Sequence, residues 1–189
     1  MDRAYGFVGR GLLAQAALDR TQRRKLTPPG SDPETEKRLS IDLLDPELVS
    51  RARKMASVYA AIAAFENSAR DLVARTLAEK KSEAWWDSSV SEKIKKKANA
   101  RIEEERKVRW HTQRGSEPIN YCDFGDLANI VTQNWEQFSD LLLDQPWVIN
   151  IFDTLERSRN VIMHSGELDP EDVARIGVLI RDWVKQVPA

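Results

Sequence analysis

An all-α bundle is the fold this sequence predicts. Apolar residues recur at three- and four-residue steps over long stretches, helix-start signatures recur along the chain, and no segment reads as a convincing strand. Hydrophobic residues make up 41% of the 189 positions and charged residues 31%. That is enough apolar material for one core and too little for a membrane protein. The length predicts one domain plus an appendage. Residues 1–40 read as an N-terminal arm and linker, and residues 41–189 as the helical domain.

The elements follow in order. Phe7, Val8, Leu12, Leu13, Ala16 and Leu18 have helical spacing, which predicts an arm helix over 3–19, weakened by Gly6, Gly9 and Gly11. Pro28-Pro29-Gly30-Ser31-Asp32-Pro33 marks the linker-like stretch between Thr21 and Ser40. Asp45-Pro46-Glu47 is a helix start: a capping aspartate, a proline suited to the first position, and a glutamate at the positive end of the dipole. Nothing breaks that helix before about Lys81. Met55, Val58, Tyr59, Ile62, Phe65, Ala69, Leu72, Val73 and Leu77 form its apolar stripe, so it is the expected spine of the fold. Trp85 and Trp86 are expected to plug the core from a short segment.

A lysine-rich helix is expected from Ser91 to Trp110, with Ile94, Ala98, Ile102 and Val108 on a thin apolar side. It carries four more basic than acidic residues. Short helices are expected around Leu127, Ile130 and Val131, and from Asn134-Trp135. Pro146 opens the next helix, with Trp147, Val148, Ile151, Phe152, Leu155 and Ile162 inward. It ends at Ser165-Gly166, where the glycine suits a left-handed cap. Asp169-Pro170-Glu171 repeats the start signature. The last helix is expected to bury Val173, Ile176, Ile180, Trp183, Val184 and Val187.

Composition narrows the chemistry. The formal net charge is -1, which excludes a uniformly basic nucleic-acid binder. The charge is polarised, however: residues 1–120 carry six more basic than acidic residues, and residues 121–189 seven more acidic than basic. Cys122 is the only cysteine, so no intrachain disulfide is possible and a Cys-based zinc site is not expected. The two histidines, His111 and His164, are too few for a His-rich metal cluster, and neither metal nor cofactor is expected. The longest wholly apolar run, Tyr59 to Phe65, is far short of the roughly 20 residues that cross a bilayer. The start lacks a signal-peptide plan. A soluble cytoplasmic protein without a membrane partner is expected.

One segment gathers groups suited to chemistry: Glu156-Arg157-Ser158-Arg159-Asn160-Val161-Ile162-Met163-His164-Ser165-Gly166. Asn160 and His164 are about 40° apart on one helix face. Arg157 and Arg159 are both within side-chain reach of that face, and spacing alone does not choose between them. An arginine can hold a phosphate bidentately while a histidine exchanges protons. The plain alternative is a helix-capping histidine beside surface arginines.

Arg159-Asn160-Val161-Ile162-Met163-His164 resembles the Arg-x4–6-His motif of the HEPN superfamily in its Arg-Asn form. Phe65-Glu66-Asn67-Ser68-Ala69-Arg70 resembles the Glu-Asn-x-x-Arg region of the long first HEPN helix. Tyr121-x-Asp123-Phe124-Gly125-Asp126-Leu127, followed by Asn134-Trp135-x-x-Phe138, resembles the HEPN branch at the C-terminus of a yeast RNA-quality-control endonuclease and in bacterial defence proteins. The likeness covers about residues 45–187. Met163 departs from it, standing where members usually carry a small residue.

The resemblance implies a HEPN-like helical bundle and a metal-independent endoribonuclease. Its catalytic residues are Arg159, His164 and Asn160, with Glu66 and Arg70 in support. The Arg-Asn doublet favours Arg159 over Arg157. One histidine per chain is thin for acid–base cleavage, and the family implies a homodimer with two motif helices face to face around RNA. A toxin or phage-defence role, with an antitoxin or defence-complex protein as partner, is the implied setting. The other class of function is a catalytically silent HEPN adaptor docking on such a protein.

Several features carry two readings. Glu66 and Arg70 are one turn apart and suit a simple ion pair. The lysine-rich helix is a solvated face or, through Lys93, Lys96 and Lys97, an RNA backbone track. The tryptophans are expected in the core, and His111 is expected to be structural. Cys122 has no motif histidine beside it and is not expected to be a nucleophile.

Overall fold

The computed structural model describes residues 33–187. The chain divides into two compact units, residues 1–46 and residues 47–189. In the first, a helix α1 spans Pro33–Arg38 and a 3-10 turn spans Ile41–Leu43. Part of the predicted linker is therefore helical. Proline opens α1, Glu34 and Glu36 lie in its first turn, Lys37 and Arg38 lie in its last, and Arg38 pairs with Glu34. Each feature favours a short helix. The predicted arm helix over 3–19 lies outside the described residues.

The second unit is built on α2, Pro46–Lys80. Its 35 residues span about 50 Å. Met55, Ile62, Phe65, Ala69, Leu72, Val73 and Leu77 are buried along one stripe, as the spacing predicts. Tyr59 is exposed. It is at the stripe's edge, where α2 borders an open cleft and no helix covers it.

After α2 come α3 (Trp85–Ser89), α4 (Glu92–Arg106), a 3-10 turn (Pro118–Tyr121), α5 (Phe124–Gln133), α6 (Trp135–Phe138), α7 (Gln145–Met163) and α8 (Pro170–Gln186). No strand occurs among the described residues. Trp85 and Trp86 do not plug the core. They meet edge to face, half-buried, against its margin. Helix α4 stops four residues short of Trp110. Ile94 and Ala98 are buried, but Ile102 is only half-buried and Val108 is exposed. With no apolar face left to pack, the Lys107 amide turns back to the Glu104 and Glu105 carbonyls and closes the helix.

Three of the later helix starts, those of α5, α7 and α8, are capped by side chains. Asp123, Asp144 and Asp169 accept from the amides of Asp126, Trp147 and Asp172 at 2.9, 2.7 and 2.9 Å. Each thereby satisfies an amide that the helix itself leaves unpaired. Helix α5 packs on α7, and α7 on α8. Phe65 of α2 is the meeting point, with ring centroids 6.2 Å from Phe124, 6.1 Å from Phe152 and 5.1 Å from Trp183. Four helices thus share one aromatic cluster. Trp147, half-buried, stacks on Trp183 at 5.8 Å. Val184, expected inside, is exposed because Trp183 takes the inward position beside it.

The end of α7 corrects the glycine assignment. Ser165, not Gly166, has the left-handed backbone, with φ 63°. The Gly166 amide donates to the Val161 carbonyl at 2.8 Å and the Ser165 amide to that of Ile162 at 3.0 Å, which is a Schellman closure. Gly166 is needed for room: a Cβ there would meet Val161 Cγ1 at 2.7 Å and the Val161 carbonyl oxygen at 2.9 Å. Gly166→Ala is expected to lower stability by about 1–3 kcal/mol. Ser165→Gly, which relieves the left-handed strain, should raise it by up to about 1 kcal/mol. Urea midpoints of the two variants, moving in opposite directions, check both.

Candidate active site

The site begins with a carboxylate on the spine. Glu66 lies between Phe65 and Asn67 on α2, and its side chain is 9% exposed. A charge so placed needs partners, because desolvation otherwise drives it neutral. It has two. Arg70, one turn along the same helix, pairs with one oxygen. Arg159 of α7 reaches both, at 3.1 and 3.3 Å. Glu66 and Arg70 therefore form the local ion pair, and Glu66 also meets the motif arginine.

Arg159 is held on several sides. Its guanidinium lies 5.6 Å from the centre of the Phe124 ring, 3.8 Å from Glu156 and 3.4 Å from the Asn160 side-chain oxygen. Arg157 is exposed, so packing distinguishes two arginines that spacing did not. Burial, then the charge of Asp123, pushes the Glu156 carboxyl above its usual range, with Arg159 pulling against both.

A second ionic group supports the first. Lys97 and Arg101, one turn apart on α4, face Asp123 and Asp126 at the start of α5. The lysine lies 2.7 Å from Asp123 and 2.9 Å from Asp126, and Arg101 lies 3.0 Å from Asp123. Arg101 also donates to the Tyr121 carbonyl, and Arg70 donates to the Cys122 carbonyl at 2.9 Å. Two arginines from different helices thus clamp the strand-like link before α5. Burial pushes the Asp123 carboxyl up, but Lys97, the Asp126 amide and Arg101 outweigh it and hold the group well below the ordinary carboxylate range. Burial and the two aspartates push the Cys122 thiol up to about 12. A thiol so rarely ionised is no nucleophile.

A cleft of about 450 Å³ opens over these groups, walled by Arg70, Arg101, Arg114, Arg159, Asn160 and Tyr59 among others. Met163 reaches it and is 60% exposed. His164 follows as the cap of α7, its amide donating to the Asn160 carbonyl at 3.1 Å. It is exposed at the helix end and is not part of the cleft wall. The loop beyond it is fastened to the spine: Arg51 pairs with Glu167, and the Leu168 amide lies 3.4 Å from Met55 Sδ.

The structure thus brings Glu66, Arg70, Arg159 and Asn160 together and leaves His164 at the rim. Lys93 and Lys96 are exposed on α4, whereas Lys97 is engaged by Asp123 and Asp126 instead of standing free as a phosphate contact. The sequence reading assigned no site role to Arg101 or Arg114. A signal for Arg101 was present: Lys97 and Arg101 at i,i+4 match Asp123 and Asp126 at i,i+3 in charge and spacing. Arg114 had none, since it is in an irregular loop. Among the described residues no group of three or more His, Cys, Asp or Glu could hold a metal ion, and no helix is long and apolar enough to cross a membrane.

A family model described as Swt1-like HEPN matches residues 60–188. The chain belongs to the Swt1-like HEPN family. The match spans the distal part of the spine, the Asp123 cap, the α7 motif and α8, so the ionic groups above are internal to the HEPN domain. Ribonuclease activity is common among HEPN domains. Neither the curated proteins nor the solved structures contain a match to this chain.

Two stability measurements test the ionic groups of this HEPN domain. Glu66→Ala would leave two guanidinium groups without their carboxylate and should cost roughly 3–5 kcal/mol. Arg159→Ala should cost less, because Arg70 still neutralises Glu66. Urea unfolding of both variants gives the order. Asp123→Asn keeps a capping residue but removes the charge. Because the folded carboxyl titrates below its unfolded value, its stabilisation is complete above about pH 4 and fades as pH falls through the folded value. The variant should be less stable than wild type at pH 7, and the gap should narrow below about pH 4 in an acid titration followed by circular dichroism.

Proposed function

We propose that this HEPN domain is a metal-independent endoribonuclease that cuts RNA at a site shared by two copies of the chain. The observation that carries the reading is the placement of Arg159 and Asn160 in the wall of an open, arginine-lined cleft, with His164 exposed at the end of the same helix. Arginines suit a phosphodiester because they meet its oxygens bidentately and gain strength as charge builds in the transition state.

The chemistry needs two proton transfers. A base takes the proton of the ribose 2'-hydroxyl, and the oxygen attacks the adjacent phosphorus. An acid gives a proton to the departing 5'-oxygen. The products are a 2',3'-cyclic phosphate and a 5'-hydroxyl, with no net gain or loss of protons. One His164 can fill one of these roles. Two α7 helices facing across a two-fold axis would supply the second, and the two Arg159 side chains would meet the phosphorane-like transition state. The need for a 2'-hydroxyl makes RNA the substrate rather than DNA. A toxin or phage-defence effector acting in the cytoplasm, restrained by a protein partner, is the biological setting of this reading.

A specific observation favours the second reading, a catalytically silent adaptor. Arg159 is already paired with Glu66, and His164 is outside the cleft wall. The same groups that suit a phosphate also serve as a clasp between α2 and α7. The purified chain incubated with mixed RNA in EDTA separates the two. His164→Ala should slow cleavage about 10²–10⁴-fold with its fold intact, since the side chain is at an exposed helix end. Arg159→Lys tests the arginine with a positive charge retained beside Glu66, and should also lose most activity because an ammonium cannot hold the phosphate bidentately. DNA of the same sequence should stay whole. Light scattering should show a dimer. A dimeric wild-type chain, free of any partner, that leaves all RNA intact would establish the adaptor instead.

A further inference from the structure

The loop between α4 and the Pro118–Tyr121 turn carries a feature that the cleavage chemistry does not use. Trp110 is 85% exposed, more than any other large hydrophobic residue among the described residues. Left in water, an indole forgoes the stabilisation that burial would give it. The expectation that it belongs to the core is therefore overturned. Helix α4 ends at Arg106, so Trp110 is not carried on an inward face.

The loop that carries Trp110 has one sign of charge, while the end of α4 before it supplies Glu103, Glu104 and Glu105. Residues 106–114 contain Arg106, Lys107, Arg109 and Arg114 and no acidic residue. The loop is also held in place. The His111 amide donates to the Val108 carbonyl at 3.1 Å, His111 Nδ1 donates to the Thr112 carbonyl at 2.9 Å, and the His111 ring meets the indole edge to face at 5.6 Å. Arg114 ties the far side to α4 through Glu105, with its Nε at 2.7 Å and its amide at 3.2 Å. That same Arg114 lines the cleft holding Arg159. An exposed indole, basic neighbours and a fixed connection to the cleft therefore occur together.

We propose that Trp110 and its basic loop form a nucleobase-stacking site that holds one base of single-stranded RNA while the strand runs past Arg114 into the Arg159 cleft. Aromatic rings accept any base by its π-face, and adjacent cations neutralise the phosphates on either side. The run of positive charge and its continuity with the arginine-lined cleft favour RNA over a protein surface. This site rests on the ribonuclease reading and adds the part of the chain that grips substrate away from the scissile bond.

Binding is tested apart from cleavage. The full chain carrying His164→Ala, in EDTA, is titrated against a fluorescent single-stranded RNA by anisotropy, alone and combined with Trp110→Ala, Trp110→Phe or Arg109→Ala. Cleavage by the wild type and by Trp110→Ala is followed in parallel. Trp110→Ala should weaken binding roughly 5- to 150-fold, and Trp110→Phe should recover most of it. Arg109→Ala should reduce the salt slope by about one. Unchanged affinity in Trp110→Ala, with RNA still cut by the wild type, would overturn the stacking site and leave the ribonuclease standing. Equal losses in Trp110→Ala and Trp110→Phe would also overturn it, since a phenyl ring still stacks. No RNA binding and no cleavage, with Trp110→Ala instead releasing a bound protein, would overturn both readings and make the loop a protein contact.

Discussion

The buried carboxylate of Glu66 is the constraint around which this domain is arranged. A carboxylate 9% exposed on the central helix needs cations beside it to offset the loss of water. One cation, Arg70, comes from the same helix and would be present in any conformation of α2 that keeps the helix. The other, Arg159, comes from 93 residues away and is present only when α7 is docked. The pair therefore makes the packing of α7 on α2 specific in rotation and register, in a way that the aromatic contacts beneath it do not. Phe65, Phe124, Phe152 and Trp183 supply apolar burial, but rings tolerate sliding more readily than a two-oxygen contact to a guanidinium does.

The second ionic group extends this constraint across the domain. Arg70 reaches the Cys122 carbonyl and Arg101 the Tyr121 carbonyl, while Asp123 serves at once as helix cap and as partner of Lys97 and Arg101. The short link between the Pro118–Tyr121 turn and α5 has no strand partner, and these arginines satisfy its carbonyls instead. The cleft floor is consequently a network of fixed charges. Its arginines are held in position, and part of their charge is already shared with Glu66 and Asp123. The groups that line the cleft are thus the same groups that clasp α2 to α7, so the proposed catalytic and adaptor roles would share one geometry.

Much of this architecture was legible in the sequence. The Asp-Pro-Glu starts, the long stripe from Met55 to Leu77 and the inward faces of α5 and α7 all follow from the helical period, which acts within a turn or two of the chain. The family motifs also pointed to Glu66, Arg70, Arg159, Asn160 and His164. The choice between Arg157 and Arg159, which spacing left open, turned on which one could reach a carboxylate on another helix. The failures share a cause. Tyr59 and Val184 have inward spacing but no element over them, and α4 ended early because its apolar side was too thin to be covered.

By itself, then, the sequence determined the all-α class, the helix starts and the core-facing stripes, because periodicity and capping are local properties. Tertiary structure alone decided three things: that Glu66 answers to two arginines, that Lys97 closes on Asp123 and Asp126, and that Trp110 faces solvent while Arg114 joins the cleft. Each depends on which groups from distant segments come within a few ångströms of one another. Spacing along one helix carries no information about that, because the partner's approach is set by the packing of the whole core.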